Sequence, residues 1–159
     1  MKDKFFLLVG LVVIISSFYL FLQKPAPAKY QEANSLQLTA NSLKIGDASI
    51  RVEIADTEEE RNQGLSDRLS IDNGSGMLFI FEIPGTYGFW MHDMNFPIDI
   101  VWIASDWNVV GVQTQINPDT YPEVFYPPNS VKYVLEINSG EASRLGIDTG
   151  SILYFDTQN

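Results

Sequence analysis

The chain has 159 residues, no cysteine and a formal net charge of −10. That length accommodates one domain and a tail. The missing cysteines exclude disulfides and thiolate chemistry, and the acidic balance argues against nucleic acid, whose phosphates need a basic surface.

The chain starts Met1-Lys2-Asp3-Lys4, and residues 5–22 are then uncharged and apolar apart from Ser16 and Ser17. As a helix, a run of that length rises roughly 27 Å, close to the hydrocarbon thickness of a bilayer. Residues 1–23 are therefore expected to form a membrane anchor or signal helix, with residues 5–22 in contact with the membrane. The run exceeds the roughly 7–15 residues of a signal-peptide core, which favours an anchor. Ala26-Pro27-Ala28 offers a cleavage site, and cleavage after Ala28 would release a secreted protein. Lys2 and Lys4 balance Lys24 and Lys29, so the positive-inside rule does not orient the segment. The resemblance of this start to a signal sequence places the remainder outside the cytoplasm.

Residues 24–35, with Pro25 and Pro27, read as an extended linker. Residues 36–159 form the expected β-rich extracytoplasmic domain. It carries six basic and eighteen acidic residues, a net of −12. Such a charge keeps an exported domain soluble and off anionic lipid.

Short strands are predicted at 36–38, 42–45 and 49–55. In the last, Ile50, Val52 and Ile54 alternate with Arg51 and Glu53. Asp56 or Thr57 then caps a short helix, since each precedes a glutamate by three residues. Gly64 is its natural stop. Further strands are predicted at 77–81, 88–91, 98–103, 109–115, 131–137 and 152–155, with a turn at Pro84-Gly85. Ser139 is expected to cap a second helix over 140–145, which Gly146 ends. Eight or nine short strands with two short helices predict a mainly β fold, a compact β-sandwich or barrel, with no βαβ rhythm.

Several motifs occur in a fixed order. They are Arg61-x-x-Gly64-Leu65-x-x-Arg68, Gly76-Met77-Leu78-Phe79-x-Phe81, Phe89-Trp90-Met91 and Pro97-Ile98-Asp99-Ile100. Val134-Leu135-Glu136 with Gly140, and Leu145-Gly146-Ile147-x-x-Gly150, complete the series. Together, over roughly residues 49–155, they resemble the family known as domain of unknown function 192, which is bacterial and archaeal and often exported. The resemblance implies a compact β-sandwich or barrel, with no established reaction and no known cofactor. Three positions depart from the family pattern: Ser66 replaces a usual methionine, His92-Asp93 replaces Lys-Asn, and Ser151 replaces an aspartate.

The ligand-binding candidates are Arg61, Arg68, His92, Asp99 and Glu136. Asp99 and Glu136 lie within apolar strands, where a carboxylate requires a partner. Arginine supplies a rigid fork for one, so Arg-Asp or Arg-Glu pairs could pin the helix to the sheet. The same arginines could instead hold an anionic ligand. Trp107, Tyr121, Phe125 and Tyr126 are candidates for an aromatic rim beside a proline-rich loop, whereas Trp90 and Trp102 read as core. A single histidine and no spaced calcium loop predict no metal, and no cofactor motif occurs.

No nucleophile elbow or catalytic dyad is evident. The expected function is non-catalytic binding of a small ligand, a glycan or an envelope protein. The alternatives are an enzyme acting on an envelope substrate through the five polar candidates, and a structural or assembly factor.

Overall fold

In the computed structural model, residues 41–156 are described. The expected anchor, the linker and the strand at 36–38 lie outside them. Among the described residues, no helix is long and apolar enough to cross a membrane.

Strand β1 (Ser42–Ile45) turns at Gly46-Asp47 into β2 (Ala48–Ala55), and the two pair antiparallel. Thr57 then caps helix α1 (Glu58–Gln63) with a complete capping box. The Thr57 hydroxyl accepts from the Glu60 amide at 3.2 Å, and the Glu60 carboxylate accepts from the Thr57 amide at 3.1 Å. Glu58, Glu59 and Glu60 all lie in the first turn, where the positive end of the helix favours acidic side chains.

After α1 the chain enters β3 (Ser75–Gly85), which runs parallel to β2. A single βαβ crossover is therefore present, contrary to the sequence expectation. Its six-residue helix agrees with the expected one; the parallel pairing of β2 with β3 is a tertiary property that the local pattern does not carry. Pro84-Gly85 closes β3 and is not a separate turn. The strand irregularity falls instead between Ile80 and Gly85, where the pairing register shifts.

Strands β4 (Ile98–Ile103) and β5 (Val109–Ile116) form the next hairpin. A 3-10 turn at Pro118–Thr120 leads to β6 (Val131–Asn138), helix α2 (Glu141–Leu145) and β7 (Tyr154–Asp156). The predicted strand at 88–91 is reduced to one bridge, Phe89 to Phe125. The predicted strand at 152–155 becomes a bridge at Ile152 followed by β7.

All seven strands form one sheet in the order β5-β4-β6-β3-β2-β1-β7. The sheet curls into a half-barrel with two short helices, and the described residues form no second sheet to make a sandwich. Asn108 bridges Ile152, and the Val109 amide donates to the Ser151 carbonyl at 2.8 Å. The turn between β4 and β5 thereby meets the segment that leads into β7.

Apolar clusters cover both faces of the sheet. One contains Leu43, Ile50, Leu78, Val101, Leu135 and Leu153. The other contains Leu65, Met77, Phe79, Met91, Trp102 and Val134. Alternation along β4 explains the division: Ile98, Ile100 and Trp102 face the second cluster, and Val101 and Ile103 face the first. Gly76 permits β3 and β6 to approach closely, because a Cβ there would lie 2.5 Å from the Glu136 carbonyl oxygen.

Candidate functional site: a cavity over Glu136

Glu136 lies in the middle of β6, opposite Met77 of β3 and Ile100 of β4. Those register partners place its side chain on the face of the second apolar cluster. The residue is 5% exposed, and among the described residues its carboxyl makes no hydrogen bond or ion pair but keeps contact with accessible space. It opens into a cavity of about 90 Å³. Loss of water around the carboxyl pushes its pKa up to about 8. At neutral pH the group is therefore mainly a neutral acid, able both to donate and to accept a hydrogen bond.

Three segments build the walls. The end of α1 contributes Arg61, Asn62, Gln63 and Gly64, followed by Leu65 and Ser66. Strand β3 contributes Phe79, and the loop before β4 contributes Phe89, Trp90 and Met94. Gly64 has φ +50°, and a Cβ there would lie 3.3 Å from the Phe79 ring. Glycine thus meets both the backbone and the space requirement at the point where helix end and cavity wall meet. Phe79 and Phe89 pack edge to face with centroids 4.9 Å apart, and Phe89 packs in the same manner on Trp102 at 5.5 Å. Trp102 is 2% exposed, as expected, whereas Trp90 is 54% exposed at the cavity wall. The core expectation for Trp90 is thus corrected. Glycine, asparagine and proline flank it and hold residues 88–97 out of the sheet.

Arg61 stands at the same wall with its guanidinium engaged. It donates to the carbonyls of Asp56 and Ile80, the latter at 3.0 Å, and lies 5.3 Å from the Phe81 ring centroid. It pins α1 to β3 through backbone carbonyls and not through a carboxylate.

The five polar candidates do not converge. Asp99 is fully buried on the opposite face of the sheet from Glu136, since it pairs with Ile137, the next residue along β6. Its Oδ1 accepts from the Gln115 amide at 2.8 Å and its Oδ2 from the Ala142 amide at 3.0 Å. The expected arginine partner for Asp99 is replaced by two backbone amides. That contact also replaces the expected Ser139 cap on α2, whose N-cap is Gly140 without a side-chain bond. Arg68 forks onto Glu53, with N···O distances of 2.6 and 2.8 Å. This hydrogen bond holds the Glu53 carboxyl below the usual carboxylate range. Glu53, not Glu136, is the partner that the sequence reading left unassigned.

His92 is exposed in a turn, and its Nδ1 lies 3.0 Å from Asp93 Oδ2. The contact is possible because Asp93 has φ +54° and the pair is not in a strand, where neighbours would point apart. Among the described residues, no cluster of three or more metal-ligating side chains occurs.

Of the rim candidates, Trp107 is corrected to a packing residue. It stacks on Tyr133 at 4.0 Å and Phe155 at 5.5 Å against the first apolar cluster. Phe125 is half-buried through its bridge to Phe89. Tyr121 and Tyr126 are exposed, and Tyr121 packs edge to face on His92 at 5.0 Å.

Comparison with known proteins bears on this geometry. The profile of DUF192, described as an uncharacterized ACR, matches residues 41–155. The chain belongs to this family. The DUF192 fold is shared with two solved structures. A protein from Sinorhizobium meliloti 1021, described as a "putative transcription regulator", has a TM-score of 0.68 and 29% identity, covering 74% of this chain and 92% of its own. A protein of unknown function from Novosphingobium aromaticivorans DSM 12444 has a TM-score of 0.66 and 30% identity, covering 72% of this chain and 83% of its own. No curated protein matches.

Proposed function

We propose that this DUF192 chain is a non-catalytic binding domain that takes a small ligand group into the cavity over Glu136. The observation that carries this reading is the unpartnered carboxyl itself. A carboxyl that reaches a cavity without a protein partner is free to donate to or accept from a ligand group there. Trp90 supports the reading, because an exposed indole beside a small polar cavity supplies apolar contact at low entropic cost. The apolar start at residues 5–22 supports a location outside the cytoplasm, tethered to the membrane or secreted after cleavage at Ala28. A partner in that compartment would be a small molecule, a glycan or an envelope protein presenting such a group.

The test is a fragment screen on the full-length protein, read through the indole N–H of Trp90 and the methyl of Met94. Trp90→Ala should abolish binding and leave stability within about 0.5 kcal/mol, as for other surface substitutions. Loss of stability with binding retained would count against the site.

A second reading is catalysis with Glu136 as general acid, favoured by its pKa of about 8. Arg61 is the other charged side chain in the lining and stays protonated, and the Ser66 hydroxyl donates to the His92 carbonyl, so this reading lacks a base.

A further inference from the structure

We infer that the group bound over Glu136 is a compact organic cation, an alkylammonium head. This deepens the proposed binding function and rests on it. Five observations favour a cation over a neutral or anionic group.

The floor of the cavity is an unpartnered carboxyl. Its walls include the aromatic rings of Phe79, Phe89 and Trp90, and aromatic faces attract ammonium groups. The last turn of α1 forms another wall, and the carbonyl end of a helix carries partial negative charge. Asn62, Gln63 and Gly64 also border an open hollow lined by Glu58, Glu59, Glu60 and the Arg68–Glu53 pair, so a ligand approaches over surface of net negative charge. The domain net of −12 repels anions from the same direction.

Arg61 is the one opposing charge among the lining residues. Its Nη1 is held by the Asp56 and Ile80 carbonyls, and its guanidinium carbon lies 5.3 Å from the Phe81 ring centroid. No other titratable side chain faces Glu136 within the cavity: Met77 and Ile100 flank it in the sheet, and the loop contributes Phe89, Trp90 and Met94. Ionising the carboxyl at pH 7 reduces affinity by about tenfold, one pH unit below its pKa of about 8. The direct charge contact with the ammonium opposes that loss. Cation binding must therefore release a proton.

The experiment titrates the full-length protein in mild detergent with n-butylammonium, n-butanol and butyrate, which share a chain and differ in head-group charge. Butylammonium is expected to shift the Trp90 and Met94 signals with at least about tenfold higher affinity than butanol, and butyrate to leave them unchanged. Its affinity should rise about tenfold per pH unit between pH 5 and 7 and level off above pH 8. Glu136→Gln should erase the preference while butanol still binds. Should that variant fail to fold, the pH dependence of the native chain decides. Butanol or butyrate binding as well as butylammonium, or a flat pH response, overturns the cation and leaves the cavity reading intact. Silence with all three probes overturns the cavity reading as well. Nα-acetyl-lysine methylamide forms a fourth arm: binding equal to butylammonium assigns the cation to a lysine side chain, and exclusion assigns it to a free amine, both in keeping with the cation.

Discussion

Asp99 of β4 accepts the backbone amide of Ala142, 43 residues further along the chain, and so caps α2 from a different element. Its other oxygen holds Gln115 at φ +57°, where two residues of β5 bulge against one of β4. One carboxylate therefore fixes both a helix start and a strand irregularity. Asp99→Asn presents an amide NH₂ to one of those backbone N–H groups, and a loss of about 2–4 kcal/mol is expected from the unpaired buried donor. Urea unfolding measures it. A loss below about 1 kcal/mol would contradict the structural role.

Glu136 makes the opposite contribution. Its pKa is raised from 4.5 to about 8 by burial, so the folded state holds a proton that the unfolded chain has released. Stability must then fall as pH rises from about 4.5 to about 8, by a few kcal/mol in all, and change no further from this group above pH 8. Glu136→Gln should flatten that slope by one proton equivalent. Melting measured from pH 5 to 8 checks the sign; an unchanged slope in the variant would assign it elsewhere.

The Arg68–Glu53 fork is the third test. Both side chains are partly exposed, so water screens the pair in spite of its two short bonds. A double-mutant cycle with Arg68→Ala and Glu53→Ala should give a coupling of about 0.5–1 kcal/mol, reduced by salt. Because the Glu53 carboxyl is held low, the contribution is present above pH 4.5 and is lost as pH falls through the depressed value.

The fourth concerns residues 5–22. The protein is expected in the membrane fraction with its N-terminus intact. Mass spectrometry of the mature chain decides between the readings, since a soluble product beginning at Lys29 identifies a cleaved signal.

Much of the fold was legible because the alternation in β2 follows directly from burial of one face of a pleated strand. The Thr57 capping box was legible because all its partners lie within four residues. The candidate site was less so. Asp99 and Glu136 look alike in sequence, each a carboxylate in an apolar strand. Their register makes them neighbours on opposite faces, and register between distant strands is a tertiary property. Trp90 was misplaced for a related reason. An aromatic between Phe89 and Met91 looks like core until Phe89 alone is seen to bridge, which leaves Trp90 turned outward. Proline and glycine at 84–88 and 97 were the local signal of a loop.

Strand β1 has consequences for timing. Residues 42–44 pair with 51–49 on one side and with 156–154 on the other. The first described strand is thus flanked by the last, and Lys44 reaches Asp156 across a sequence separation of 112 residues at 2.5 Å. Pairings of such long range make folding slow, because the chain must close its largest loop before that contact contributes. As the chain emerges from its N-terminus, β1 has one side unpaired until β7 has been made. Shortening the C-terminus by a few residues would leave that edge bare in the finished protein, open to pairing with another copy.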